Sequence, residues 1–372
     1  MKIGVITWYT GENYGTNYQA IALQWILRQA GHDVQLIDYD EALIAAPEQL
    51  TKSEQRVQRW RYDFRRYVIR LLYRVQVKKR DASMTAAIRK QCRLTAKVHT
   101  ESEFSDMCNQ FDLLVVGSDQ LWNPNWYKPL YFADFDGVHT RKISYAPSIG
   151  VDAIPKEKAE LIRHGLSGFS AVSVRESTGA ELLKPLSPVE PVQVIDPVLL
   201  LSRSDWELIF PSEGNPIGEK YVLTAFLTDR LRHRKAAYGF ARSKRLKQVT
   251  VPYMGMSYLQ RGIICADADQ SKLLDLIRNA EYVITDSFHI AVMSIIHEKQ
   301  FFVLERFKEQ QYRSTNCRVR DLLNSLSLSE RLLPYNSSRI PDLEQIDYTE
   351  PLTLLAKESE RSRDFLFDAV GS

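Results

Sequence analysis

His289 and the three polar residues ahead of it, Thr285, Asp286 and Ser287, form the stretch of this chain best suited to chemistry. A β-prone run, Tyr282-Val283-Ile284, ends in these residues, and an apolar pattern at helical spacing continues through His297. That order predicts a strand delivering a helix N-terminus, whose unpaired N–H groups and positive dipole end favour an anion. An imidazole in the first helical turn would place a proton donor beside that anion, or simply hydrogen-bond into the core.

Two further groups in the first half have the same potential. Phe111 to Gly117 is patterned as a buried strand and runs into Gly117-Ser118-Asp119-Gln120-Leu121-Trp122-Asn123-Pro124, a dense polar segment at the edge where open α/β sheets bind ligands. Asp119 could accept a proton from a sugar hydroxyl, or cap the next helix. Arg175, in Ser173-Val174-Arg175-Glu176, has the planar fork that suits a carboxylate or phosphate, or a structural ion pair with Glu176. The polar loop Gly11 to Tyr18 lacks both a Walker A sequence and GxGxxG, so its glycines either shape a tight turn or border a substrate. Trp122, Trp126, Tyr127 and Tyr131 could stack on sugar rings or fill a core.

The elements that must position these residues alternate between strand and helix. Lys2 to Trp8, Asp33 to Tyr39, Phe111 to Gly117, Lys142 to Ala146 and Ala171 to Val174 read as strands, and Gln19 to Ala30 and Lys156 to Phe169 as helices. After the Pro- and Gly-containing segment 211–219 the plan repeats, with strands at Tyr221 to Leu227, Gln248 to Pro252, Tyr282 to Ile284 and Phe301 to Leu304. Helices are expected near 230–241, 271–279 and 316–326. This alternation predicts an α/β protein of two doubly wound Rossmann-like domains facing across a cleft. The expected division is residues 1–210, residues 220–350, and a C-terminal helix within 351–372 crossing back over the first half.

Residues 42–97 are expected to form a helical insertion with one cationic face. Its basic residues include Arg56, Arg59, Arg61, Arg65, Arg66, Arg70, Arg74, Lys78, Lys79 and Arg80, and Val57, Trp60, Phe64, Val68, Leu71, Leu72 and Val75 supply the packing face. Such a helix can contact an anionic membrane surface, or be merely solvated on its charged side.

Composition narrows the classes. With 49 basic against 46 acidic residues the net charge is only +3, which gives no bulk electrostatic case for a nucleic-acid partner. Cys92, Cys108, Cys265 and Cys317 show neither zinc nor disulfide spacing. No secretory leader pattern and no long apolar span is visible, so a cytoplasmic protein is expected.

The motifs Asn13-Tyr14-Gly15, Gly117 to Asn123, Ser173 to Glu176, Ile195-Asp196-Pro197 and Thr285 to His289, in this order, resemble those of the polysaccharide pyruvyl transferase family. The resemblance runs from the first strand to about Leu323. It implies a glycosyltransferase-B-like architecture and transfer of pyruvate from phosphoenolpyruvate onto a sugar of a cell-surface polysaccharide or its precursor, with phosphate released and no cofactor required. The catalytic residues it implies are His289 as acid or phosphate contact and Asp119 toward the acceptor. Arg175, Ser287, Phe288, Lys308 and Arg318 would hold phosphoenolpyruvate. Asn13, Tyr14, Gly15, Ser118, Gln120, Trp122 and Asn123 would face a glycan or lipid-linked acceptor, at the inner face of the plasma membrane if the carrier is a lipid. The chain departs from the family pattern at Ile290, where a small residue is usual, and at Lys299-Gln300, where Lys-Pro is frequent.

Overall fold

The computed structural model describes residues 1–9, 13–40, 43, 72–253, 255–308 and 316–371. The aliphatic runs of the first half form β1 (Lys2–Ile6), β2 (Asp33–Leu36), β3 (Leu113–Val116), β4 (Lys142–Ser144) and β5 (Phe169–Ala171), all parallel in the order β2-β1-β3-β4-β5. β3, Leu-Leu-Val-Val, is buried throughout, as expected for a strand covered on both faces. A two-stranded parallel ribbon, β6 (Ser173–Val174) with β7 (Val192–Gln193), follows.

The second half builds β8 (Tyr221–Ala225), β9 (Lys247–Thr250), β10 (Ile263–Ile264), β11 (Tyr282–Thr285), β12 (Gln300–Leu304) and β13 (Leu332–Leu333). These are parallel in the order β10-β9-β8-β11-β12-β13, the doubly wound order of dinucleotide-type folds. Strand order reverses between β1 and β3 in one sheet and between β8 and β11 in the other. In open α/β sheets ligands bind outside the carboxyl ends at such switch points. Asp119 follows β3 and His289 follows β11, so the motifs found in the sequence fall at these two edges.

The halves are tied through the Tyr14–Gln29 helix. Asn13 caps it by accepting from the Gly15 amide at 3.0 Å. From its first turns the hydroxyl of Tyr14 donates to the Ala268 carbonyl at 2.5 Å and that of Tyr18 to the Gln270 carbonyl at 2.7 Å, both in the second half. The Thr349–Gly371 helix returns to the first half, where Arg141 donates to the carbonyls of Ala369 and Val370, and Ser362 Oγ accepts from the Ile195 amide at 3.0 Å. That last bond fixes the backbone immediately before Asp196.

The insertion differs from its sequence reading. Residues 44–71, which hold Arg56 through Arg70 and Val57 through Leu71, lie outside the described residues, as do Gly11 and Glu12. In the Arg74–Gln91 helix Arg80 is buried rather than on a cationic outer face, and it donates to the Tyr258 hydroxyl at 3.1 Å and pairs with Asp81 at 2.8 Å. Leu72 and Val75, read as packing positions, are exposed. The turn around Arg80 is set by what satisfies its guanidinium in the second half, and helical periodicity carries no information on that. Among the described residues no helix is long and apolar enough to cross a membrane, and all four cysteines are free and buried.

Candidate active site

The Phe288–Ile296 helix begins directly after β11, and its first turn points His289 at the first half. Nε2 of His289 lies 3.5 Å from Asp196 Oδ2, while its Nδ1 side lies over Gly15. A Cβ built on Gly15 would sit 2.1 Å from Nδ1, so only glycine lets the ring lie there. Gly15→Ala is therefore expected to push His289 off Asp196 and reduce turnover about a hundredfold, because a displacement near 1 Å is enough for such a loss. Steady-state kinetics with a melting curve check this; turnover unchanged in a folded variant refutes it.

Asp196 joins His289 to Arg175. One Arg175 terminal nitrogen donates to Asp196 Oδ2 in a short bond, its Nη2 lies 3.9 Å from Asp119 Oδ1, and its Nε lies 3.7 Å from Glu176 Oε1. Burial would push the Asp196 carboxyl up, but His289 and Arg175 outweigh it and hold the group well below the usual carboxylate range. Asp196 also caps the Pro197–Leu200 turn, accepting from the Val198 amide at 3.0 Å. Burial likewise lowers the Arg175 pKa, yet Asp196, Glu176 and Asp119 together raise it above the ordinary arginine value. Nε and Nη2 of Arg175 nonetheless have no hydrogen-bond partner, and the guanidinium stacks on Phe288 with its carbon 4.3 Å from the ring centroid. This is a fixed fork with donors free for a ligand.

Asp119 reaches this cluster by an uncommon backbone conformation, φ +65°, in the left-handed region where non-glycine residues are sparse and often functional. Its carboxylate accepts from the Gln120 amide at 2.9 Å, and its carbonyl accepts from the Ser148 amide at 2.6 Å. Ser148 in turn donates to Glu176, whose pKa burial raises. Gly117 makes the approach possible, since a Cβ there would lie 1.8 Å from the Tyr145 carbonyl oxygen.

Arg318 enters from the Cys317–Ser325 helix. It is buried, its guanidinium carbon lies 6.0 Å from the Phe288 ring centroid, and with the Gln120 amide turned so that its oxygen accepts, it donates to that oxygen at 2.9 and 3.0 Å. Burial, then repulsion by Arg175 and Arg306, lowers its pKa to about 10. Arg318 thus adds a second buried guanidinium to the cluster, and an anion bound beside it would offset its repulsion with Arg175 and Arg306. It lines a shallow, partly open recess together with Asp286, Phe288, Glu305, Arg306 and Asn316.

The remaining residues expected from the sequence are placed as follows. Ser287 is the N-cap of the His289 helix and its amide donates to Thr285 Oγ1 at 3.0 Å. Lys308 is exposed, whereas Arg306, two residues earlier, faces the recess. Ser118 is fully buried, donates to the Ala146 carbonyl at 2.9 Å and stands 3.4 Å from Asp196. Asn13 and Tyr14 meet Tyr253, whose hydroxyl accepts from the Tyr14 amide at 3.0 Å. Trp122 is in the core, stacked on Phe132 at 5.2 Å with Nε1 donating to the Tyr131 carbonyl, and Asn123 is buried as the cap of the turn at Pro124–Trp126. Neither of these two side chains presents a face to the cluster from solvent.

Asp196 and Arg306 had no assigned role in the sequence reading, and Glu176 entered it only as a structural ion-pair partner of Arg175. Asp196 had a usable signal, since an Asp before Pro is an N-cap with proline in the first helical position. Among the described residues there is no group of three or more His, Cys, Asp or Glu arranged to hold a metal ion.

Two parallel doubly wound sheets whose switch-point edges share one polar cluster define a glycosyltransferase-B-like α/β protein. The polysaccharide pyruvyl transferase family model matches residues 13–306, and the chain belongs to that family of transferases in polysaccharide biosynthesis. Its fold is similar to that of a putative UDP-N-acetylglucosamine 2-epimerase from Listeria monocytogenes, with TM-score 0.50 and 10% identity over 91% of this chain and 93% of that one. A UDP-GlcNAc 2-epimerase from Methanocaldococcus jannaschii also aligns, with TM-score 0.48 and 10% identity over 97% and 100% of the two chains. A comparison with curated proteins found no match.

Proposed function

We propose that this protein transfers pyruvate from phosphoenolpyruvate to a sugar of a cell-surface polysaccharide or its precursor, forming a ketal and releasing phosphate. The observation that carries this reading is the cross-sheet constellation of His289, Asp196 and Arg175, with the buried Arg318 beside it. Phosphoenolpyruvate has a carboxylate and a phosphate, and the free donors of Arg175 and the charge of Arg318 are matched to those two groups. Phe288, on which the Arg175 guanidinium stacks, would border the three-carbon unit.

In the reaction His289 gives a proton to the methylene carbon, and the adjacent carbon becomes oxocarbenium-like. A sugar hydroxyl oxygen bonds to that carbon and loses its proton toward Asp119. The bond to the phosphate oxygen then breaks, and a second hydroxyl of the same sugar closes the ketal. Of the two hydroxyl protons, one replaces the proton now on the methyl carbon and the other leaves with phosphate. Asp196 keeps His289 in place throughout, and the buried arginines offset the charge that develops on the phosphate. No cofactor enters this scheme, and the acceptor is a glycan or lipid-linked oligosaccharide met on the cytoplasmic side of the membrane.

The test is donor choice. Phosphoenolpyruvate is expected to raise the melting temperature, by an amount that grows with the logarithm of its concentration, while nucleotide sugars leave it unchanged. Arg175→Lys should weaken phosphoenolpyruvate binding about tenfold, because a point charge cannot reproduce the fork. Stabilisation by a nucleotide sugar instead would favour a glycosyltransferase and sink the proposal.

A further inference from the structure

Arg230 is not among the groups used above, and Arg306 has been placed only on the wall of the recess that Arg318 lines. β8, β11 and β12 are neighbours in the sheet, and Arg230, Asp286 and Arg306 follow their respective carboxyl ends. The Arg230 guanidinium lies flat on Tyr335, 3.8 Å from the ring centroid, and its Nε is buried without a hydrogen-bond partner. Nε of Arg306 is buried and unpartnered in the same way, at the wall of the recess that Arg318 also lines. Asp286 between them does not serve as that partner. Its oxygens accept from the Leu227 amide at 2.5 Å, the Thr228 amide at 3.2 Å and the Thr228 hydroxyl at 2.5 Å.

We propose that Arg230 and Arg306 form a phosphoryl-binding subsite at the β8/β11 switch point, taking a phosphate or diphosphate group. A planar guanidinium whose buried Nε has no protein acceptor is available for contact with phosphate oxygens. Two such groups, near enough for their charges to interact, suit a tetrahedral dianion or a diphosphate better than a lone carboxylate, which offers one edge. The electrostatics agree. Burial lowers the Arg306 pKa, Asp286 partly offsets this, and Arg230 lowers it further, so the pair repels itself until an anion enters. The group could arrive on the donor as its own phosphate, or on a phosphorylated glycan acceptor. The subsite goes beyond the donor assignment to His289, Arg175 and Arg318, and is tested separately from it.

Binding of pyrophosphate and orthophosphate is measured by calorimetry for the parent, Arg230→Gln and Arg306→Gln, each with its unliganded melting curve. The parent is expected to bind pyrophosphate, and each variant to bind it about tenfold more weakly, the cost of a lost charged hydrogen bond. Each substitution removes a guanidinium whose buried Nε no protein acceptor hydrogen-bonds, so the unliganded melting temperature should hold or rise. A marked fall in melting temperature would assign the arginines to structure and overturn the proposal, as would unchanged pyrophosphate affinity in both variants. Repeating the titration at saturating phosphoenolpyruvate separates the sources. Abolished pyrophosphate binding means that the subsite holds the donor phosphate; retained binding means that it serves a phosphorylated acceptor. Pyrophosphate binding through these arginines without any phosphoenolpyruvate binding would keep the subsite and remove the pyruvyl-transfer reading.

Discussion

His289→Gln is expected to lower acceptor-dependent phosphate release from phosphoenolpyruvate by about two to four orders of magnitude, the usual share of a positioned acid. Glutamine is the informative replacement. Its amide nitrogen can still donate toward Asp196, 3.5 Å from the imidazole Nε2, and it has room over Gly15, but it cannot deliver a proton at neutral pH. Packing is largely retained, so the melting temperature should stay close to that of the parent. His289→Ala would also stop turnover, while leaving a void beside Phe288 and removing the ring that faces Asp196. Comparing the two separates chemistry from support: loss in both marks a proton-transfer role, and full turnover in the folded glutamine variant would reduce His289 to a packed residue.

The site residues that were legible in the sequence share one property. Asp119, Arg175 and His289 each follow a β-prone run within a few positions, and a strand's carboxyl end in an α/β sheet is where ligands gather. Asp196 follows only a two-residue strand, β7, and its role depends on the return of the C-terminal helix, whose Ser362 fixes Ile195. Local sequence has no access to that contact. Arg306 and Lys308 carry the same charge on the same segment after β12, and only burial, decided by the Cys317–Ser325 helix packed alongside, distinguishes them. Trp122 illustrates the opposite error of inference. A tryptophan beside polar residues resembles a sugar platform, but Phe132, Phe169 and the Tyr131 carbonyl satisfy its ring and its N–H inside the first half.

For the fold, the long central strands were readable because both faces are buried and their residues run continuously apolar. β10 and β13 are two residues each, too short to show a period, and they occupy the outer edges of the second sheet. Tertiary satisfaction also decided Arg80. Its charge suggested solvent, and the Tyr258 hydroxyl with Asp81 turned it inward.

Asp196→Asn should have the largest effect on stability. Asparagine keeps the cap on the Val198 amide, so the change isolates the charge that Arg175 and His289 share. Removing one partner of a buried ion pair typically costs about 3–5 kcal/mol, since the remaining charge stays desolvated, and Arg175 would keep only Glu176 at 3.7 Å and Asp119 at 3.9 Å. The pH dependence gives a second handle. Asp196 has a folded pKa below its unfolded value of about 3.9, so its contribution is full above roughly pH 5 and is lost as pH falls toward the folded pKa. The asparagine variant has no such term, and the gap between the two melting temperatures should narrow below about pH 4. Activity should fall with it, because both His289 and the Arg175 fork lose the carboxylate that positions them. A gap in melting temperature that stays constant from neutral to acid pH would show that the loss comes from packing and not from the charge. A variant as stable as the parent at pH 7 would mean that Glu176 and Asp119 alone can neutralise Arg175, and that Asp196 serves His289 only.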